Sequence, residues 1–142
     1  MVDTSVVVIN YWAVLVGACA YMAIGMAWYS PLLFGNLWLK ESGHSAADME
    51  ALKNKDMSVT MTIATVNALI LSYVAAHFVD LIGAVVATEA LSLGFWAWLG
   101  YIMTVQINSV LWEGRSWKFF LINTACSLVS ILAVTLILTL WV

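Results

Sequence analysis

The sequence predicts an all-α membrane protein: a four-transmembrane-helix bundle with a short interfacial helix between helices one and two, forming one domain over residues 1–142. Three observations predict it. Of the residues, 64% are hydrophobic and only 9% charged, where a soluble domain carries about 25% charged residues. The apolar runs are long and continuous, as in Val134 to Val142, rather than alternating as barrel strands do. In lipid only helices and closed barrels satisfy the backbone, so helices remain. All five lysines and arginines also fall into two stretches, Lys40 to Lys55 and Arg115 to Lys118, as an even number of spans requires.

A span needs about 20 apolar residues. The first is expected at about 8–29. Pro31 cannot continue a helix and pushes Ser30 out of the α region, while Trp28 and Tyr29 supply an interfacial aromatic anchor. Val16-Gly17-Ala18-Cys19 looks like a lipoprotein cleavage site. The start Met1-Val2-Asp3-Thr4 lacks a positive n-region, however, and the apolar run continues to Trp28. Segment one is therefore expected to be a retained span.

The stretch from Ser58 to Trp112 fits two spans, at about 59–82 and 89–111, with a break near Gly83 to Thr88. The fourth is expected at about 117–141, closing on Trp141. Between spans one and two, residues 35–57 are the only substantial polar stretch. There Ser45-Ala46-Ala47-Asp48 reads as a capping box variant, and Met49 and Leu52 share one face. This predicts a short helix lying at the membrane surface. The lysine and arginine distribution places loops one and three in the cytoplasm and both termini outside.

Segment two carries small or polar residues at i, i+4 spacing: Thr60, Ala64, Ala68, Ser72, Ala76 and Asp80. Such a row lets helix backbones approach closely in lipid, and Ala64, Ala68, Ser72 and Ala76 are expected to form a packing face. Ala13, Gly17 and Gly25 in segment one, and Ala90 and Gly94 in segment three, offer similar positions. Cys19 and Cys126 are expected as small core residues. Both lie roughly 12 to 14 Å from the same membrane face at 1.5 Å per residue, and no bridge between them is expected.

Counting depth at 1.5 Å per residue sorts the polar residues into two layers. Gln106 and Asn123 face each other across a short hairpin; Asn67 lies a little deeper and Asn108 a little shallower. These four form an expected inner polar layer that glues the bundle through interhelical amide bonds. An outer cluster contains His77, Asp80, Glu89 and Asn10. His77 and Asp80 share a helix face, and histidine beside a carboxylate titrates near neutral pH, making this a candidate proton or ion site. Glu89 follows Thr88, a candidate cap for segment three, and a first-turn carboxylate is stabilised by the helix dipole.

The spacing H-x2-D-x8-E is no established metal motif, so no metal is assigned. No nucleophile elbow, phosphate loop or HExxH is present, and the protein is not expected to be an enzyme. The eight tryptophans, with Trp96, Trp98 and Tyr101 in segment three, are expected as interfacial and core residues rather than a cofactor box; no cofactor is expected. Five basic residues make no nucleic-acid footprint.

Several stretches nonetheless carry a resemblance. Asn10-Tyr11-Trp12-Ala13-Val14-Leu15, then Trp28-Tyr29-Ser30-Pro31-Leu32-Leu33-Phe34-Gly35, resemble the opening of a bacterial membrane family catalogued as domain of unknown function 1761. Ser72-Tyr73-Val74-Ala75-Ala76-His77-Phe78 resembles its second helix. Trp112-Glu113-Gly114-Arg115 with Phe120-Leu121-Ile122-Asn123 resembles its third loop and fourth helix. The resemblance implies a small protein of about four spans in a bacterial inner membrane, and no activity.

The expected function is that of a structural or accessory subunit embedded in the lipid bilayer, packing with itself as a homo-oligomer or with a larger membrane complex. The alternative is a small oligomeric transporter or channel for protons or a small solute. One continuous cavity joining the two polar layers would favour transport, and polar groups paired within a dry bundle would favour the subunit.

Overall fold

The computed structural model describes residues 6–141, which hold four helices long and apolar enough to cross a membrane. In order the elements are α1 (Tyr11–Trp28), α2 (Gly35–Glu41), α3 (Ala46–Lys53), α4 (Met57–Ile82), α5 (Ala87–Leu111) and α6 (Trp117–Leu140). The membrane-class fold and its four spans agree with the hydropathy reading.

Helix boundaries follow capping chemistry rather than hydropathy. α1 begins after Asn10, not at Val8, because the Asn10 side chain accepts from the N–H groups of Trp12 (3.1 Å) and Ala13 (3.3 Å). α4 begins early at Met57 because Asp56 accepts from the Ser58 N–H at 2.9 Å. It ends in a Schellman turn: Gly83 adopts φ +70°, and Ala84 N–H returns to the Val79 carbonyl.

At the start of α5 Thr88 is not the cap. The helix already begins at Ala87, and the Glu89 carboxylate reaches back to the N–H groups of Val85 (2.8 Å) and Val86 (3.2 Å). Residues Trp98–Met103 of α5 form a π-helical segment, a widened turn that rotates the residues beyond it and often accompanies a functional surface.

The polar stretch between α1 and α4 forms two helices where one was expected. α2 starts directly against the end of α1, through a turn so tight that a Cβ at Gly35 would collide with the Tyr29 and Ser30 carbonyls. α3 has the predicted capping box, Asp48 N–H on Ser45 Oγ and Ser45 N–H on the Asp48 carboxylate. The Ser45 backbone and hydroxyl hold the Asp48 carboxyl below its ordinary value, with His44 adding to the effect. A carboxyl with a depressed native pKa contributes its bond above the ordinary value and loses it as pH falls through the lowered one. NMR secondary shifts of Ala46–Lys53 in micelles should therefore lose helicity on acidification, and Ser45→Ala should produce the same loss at neutral pH.

The four spans are arranged around α6, the most buried helix. α6 packs against α1, α5 and α4, and α1 also packs along α4. The core joins Ala13 and Val14 of α1, Ala75, Ala76 and Val79 of α4, and Val134 and Leu138 of α6. Small residues permit this closeness. Ala68 and Ser72 are fully buried, Ala76 is buried, and Ala64 is partly buried. Ser72 Oγ donates to the Val14 carbonyl at 2.8 Å, so the packing face of segment two meets α1 within the same chain. Gly94 and Ala90 bring α5 against α6; a Cβ at Gly94 would lie 2.8 Å from Thr135 Oγ1.

Large apolar side chains such as Trp12, Ile63 and Val105 point outward, as lipid requires. Cys126 is buried, but Cys19 is exposed on α1 and is not a core residue; both thiols are free. Cys19 falls outside because the inward stripe of α1 runs through Ala13, Val14, Gly17 and Ala18.

Candidate functional site

The polar residues occupy three separate places. The first is the basic end of the bundle, where loops one and three meet: Arg115 donates to the Ser42 carbonyl, and Ser116 Oγ to Glu41 at 2.7 Å. Its centre is Asn123. Asn123 Oδ1 accepts from the Tyr29 hydroxyl at 2.7 Å and the Trp38 indole N–H at 3.1 Å, joining α1, α2 and α6. Trp38 stacks on Phe119, which in turn lies under the Arg115 guanidinium. One turn along α6, Ser127 Oγ donates to the Asn123 carbonyl and accepts from Gln106 Nε2 at 2.9 Å. A recess of about 250 Å³ opens beside these groups, lined also by Tyr21, Gly25 and Cys126. Gln106 Oε1 is buried there without a partner.

The expected inner layer is thus split. Gln106 and Asn123 meet, but through Ser127 rather than amide to amide. Asn108 is exposed and outside the network. Asn67 is exposed on the groove between α4 and α5. Depth along a helix sets height but not azimuth; two residues are about 200° apart at 3.6 per turn, so Gln106 and Asn108 cannot share a face.

The second place is that groove. α4 and α5 flank α6 without packing along each other. Between them runs an apolar channel of about 480 Å³, walled by Ile70, Val74 and Phe78 on one side and Leu93 and Ala97 on the other. Its polar members are Asn67, Tyr101 and Thr135, whose hydroxyl is turned back to its own helix; Tyr101 is 81% exposed. Asn67 lies ten residues into α4, about 15 Å along the helix from its start, within a span whose apolar slab is about 30 Å thick.

The third place is the far end, where the four outer residues do not gather into one group. Asn10 caps α1 and donates Nδ2 to the Trp141 carbonyl at 3.3 Å, tying the first span to the last. Glu89 is committed to the start of α5. His77 turns back on its own helix: Nδ1 lies 2.9 Å from the Tyr73 carbonyl, and its ring meets the Tyr73 ring edge-on at 4.5 Å. A carbonyl only accepts, so Nδ1 carries the proton. Asp80 lines a recess of about 340 Å³ with Asn10, Thr139 and Trp141. Among the described residues no three His, Cys, Asp or Glu side chains are grouped to hold a metal ion.

Between the basic-end recess and the far-end recess lies a dry layer of Val14, Ser72 and Val134. The two recesses share no lining residue.

Trp38, Ser127 and Thr139 escaped the sequence reading, and Tyr29 entered it only as an interfacial anchor. Trp28 and Tyr29 read as a lipid-interface anchor, yet Trp28 Nε1 donates to the Ile122 carbonyl at 3.0 Å and Trp98 Nε1 to the Thr124 carbonyl at 2.9 Å. The available signal was three aromatic donors, Trp28, Tyr29 and Trp38, level with the polar start of α6. Trp96 is 64% exposed and forms no common site with Trp98 and Tyr101.

Four packed apolar helices, capped at one end by a hydrogen-bonded loop, define a small multi-pass helical membrane protein. The chain belongs to the family described as Protein of unknown function (DUF1761), which matches residues 12–139. No curated protein and no solved structure matches the chain.

Proposed function

We propose that the protein is a non-enzymatic membrane subunit that pairs with a second copy of itself through the groove between α4 and α5. The observation that carries this reading is Asn67, an amide exposed on an apolar groove within a membrane span. A polar group facing lipid is costly. A primary amide both donates and accepts, so two copies related by a two-fold axis satisfy each other. The small-residue row of α4 cannot supply this contact, because α1 already occupies it.

The transport alternative has less support. The two polar recesses lie on opposite sides of a buried layer, and Tyr29, Asn123 and Ser127 in the basic-end recess are already paired within the bundle. The five basic residues share one end of the fold, which supports a cytoplasmic position for loops one and three in an inner membrane.

Asn67 is tested by subunit counting of labelled protein diluted in liposomes. Interhelical amide bonds contribute roughly 0.6 to 2 kcal/mol, so Asn67→Leu should raise the dimer dissociation constant about 3- to 30-fold. With Cys19 replaced by alanine, Asn67→Cys should form a disulfide-linked dimer in native membranes. A chain that is monomeric at every protein-to-lipid ratio rules the reading out.

A further inference from the structure

We propose that the far-end recess is a binding site for an organic ammonium group carried on a short apolar chain. The recess encloses about 340 Å³, the size of a small-ligand pocket. Its walls are apolar, with Ala76 and Val79 from α4 and Leu138 from α6. Its charged member is Asp80, half-buried in the last turn of α4.

Among the described residues no basic side chain is available to Asp80: all five lysines and arginines lie at the opposite end of the bundle. α4 ends at Ile82 and α6 at Leu140, both beside this recess. The start of α1 borders it too, so positive and negative helix-end partial charges meet there. Thr139 adds an independent sign. It lines the same recess, it is 1% exposed, and its hydroxyl has no partner among the described residues. Buried hydroxyls are nearly always paired, and an ammonium N–H is a fitting donor to this one.

The chemistry of the donors selects among cations. A tightly held metal ion needs several carboxylate, imidazole or thiolate ligands. Among the described residues no group of three such side chains is available. One carboxylate and one hydroxyl suit the N–H donors of a primary ammonium. The apolar walls then take the attached carbon chain. Such an amine reaches the recess either as a soluble amphiphile or as the headgroup of an aminolipid.

The test is calorimetric titration of the detergent-purified protein with hexylammonium chloride, with 1-hexanol as the uncharged counterpart. Hexylammonium should bind saturably and hexanol should not. Asp80→Asn, nearly isosteric, should weaken binding at least about tenfold, as expected for loss of a charge-assisted bond. Thr139→Val removes an unpartnered hydroxyl, so it should keep the wild-type melting temperature and weaken binding about threefold, as expected for one neutral hydrogen bond. Wild-type affinity in either folded variant, or equal binding of hexanol, overturns the proposal. The source is read in reconstituted protein. Phosphatidylethanolamine in the vesicles should compete with hexylammonium if the natural ligand is a lipid headgroup, and leave its affinity unchanged if the ligand is a soluble amine.

Discussion

Gly17→Ala is expected to destabilise the bundle by about 1 to 3 kcal/mol, and Gly17→Leu to prevent its assembly. The reason is one contact. A Cβ at Gly17 would lie 2.5 Å from Ser72 Oγ, with Ser72 Cβ and Val134 Cγ1 at 3.6 Å behind it. Ser72 is fully buried and its hydroxyl is committed to the Val14 carbonyl. It cannot swing aside without leaving that bond, and Val134 of α6 blocks retreat of the helix. Three spans are therefore pinned at one point.

The measurement is a double-mutant cycle by unfolding in mixed micelles. Ser72→Ala alone loses one interhelical bond, about 0.6 to 2 kcal/mol. Gly17→Ala with Ser72→Ala should cost no more than Ser72→Ala, because the colliding atom is gone; the remaining Cβ contact at 3.6 Å is ordinary. Simple addition of the two single effects would show that the contact is not the cause. Gly25→Ala serves as the control. A Cβ there meets nothing within 4 Å, and its effect should stay within about 0.5 kcal/mol.

Asn123→Leu should detach α2 from the bundle and cost about 2 to 4 kcal/mol. One side-chain oxygen accepts two donors, the exposed Tyr29 hydroxyl and the partly buried Trp38 indole, and leaving a buried donor unsatisfied costs about 1 to 3 kcal/mol, with the lost Tyr29 bond adding less. The aromatic stack of Trp38 on Phe119 depends on the same placement. A spin label on α2 should gain mobility in the variant while the four spans keep their helical circular dichroism. Asn123→Asp should hold α2 more firmly than Asn123→Leu, since it keeps the acceptor. An immobile α2 in Asn123→Leu would mean that Arg115 and Glu41 carry the attachment by themselves.

Asn123 and Asn67 show where sequence reading stops. Both are amides in apolar helices, and counting residues assigns each a depth. Their roles differ because of azimuth. Asn123 turns toward two aromatic donors whose positions depend on the tight turn at Gly35. Asn67 turns into a groove that exists only because α4 and α5 stand apart on α6. His77 teaches the same lesson in reverse. At its depth it looked to lack a structural role, yet its Nδ1 donates to the Tyr73 carbonyl and its ring packs edge-on against Tyr73 one turn away.

By itself the sequence determined that this is a four-span helical membrane protein with its positive charge at one end, a break at Gly83, and close helix contacts at small residues. Those features depend on solvent preference and on neighbours along the chain, so composition and spacing record them. Only the tertiary structure decided which helix is central, that the small-residue face of α4 is consumed by α1, and that His77, Asp80 and Glu89 part company. It also created the recess that Asp80 shares with Asn10 and Thr139. Those outcomes depend on helix rotation and pairing, which arise from many weak contacts between residues distant in sequence and leave no local pattern to read.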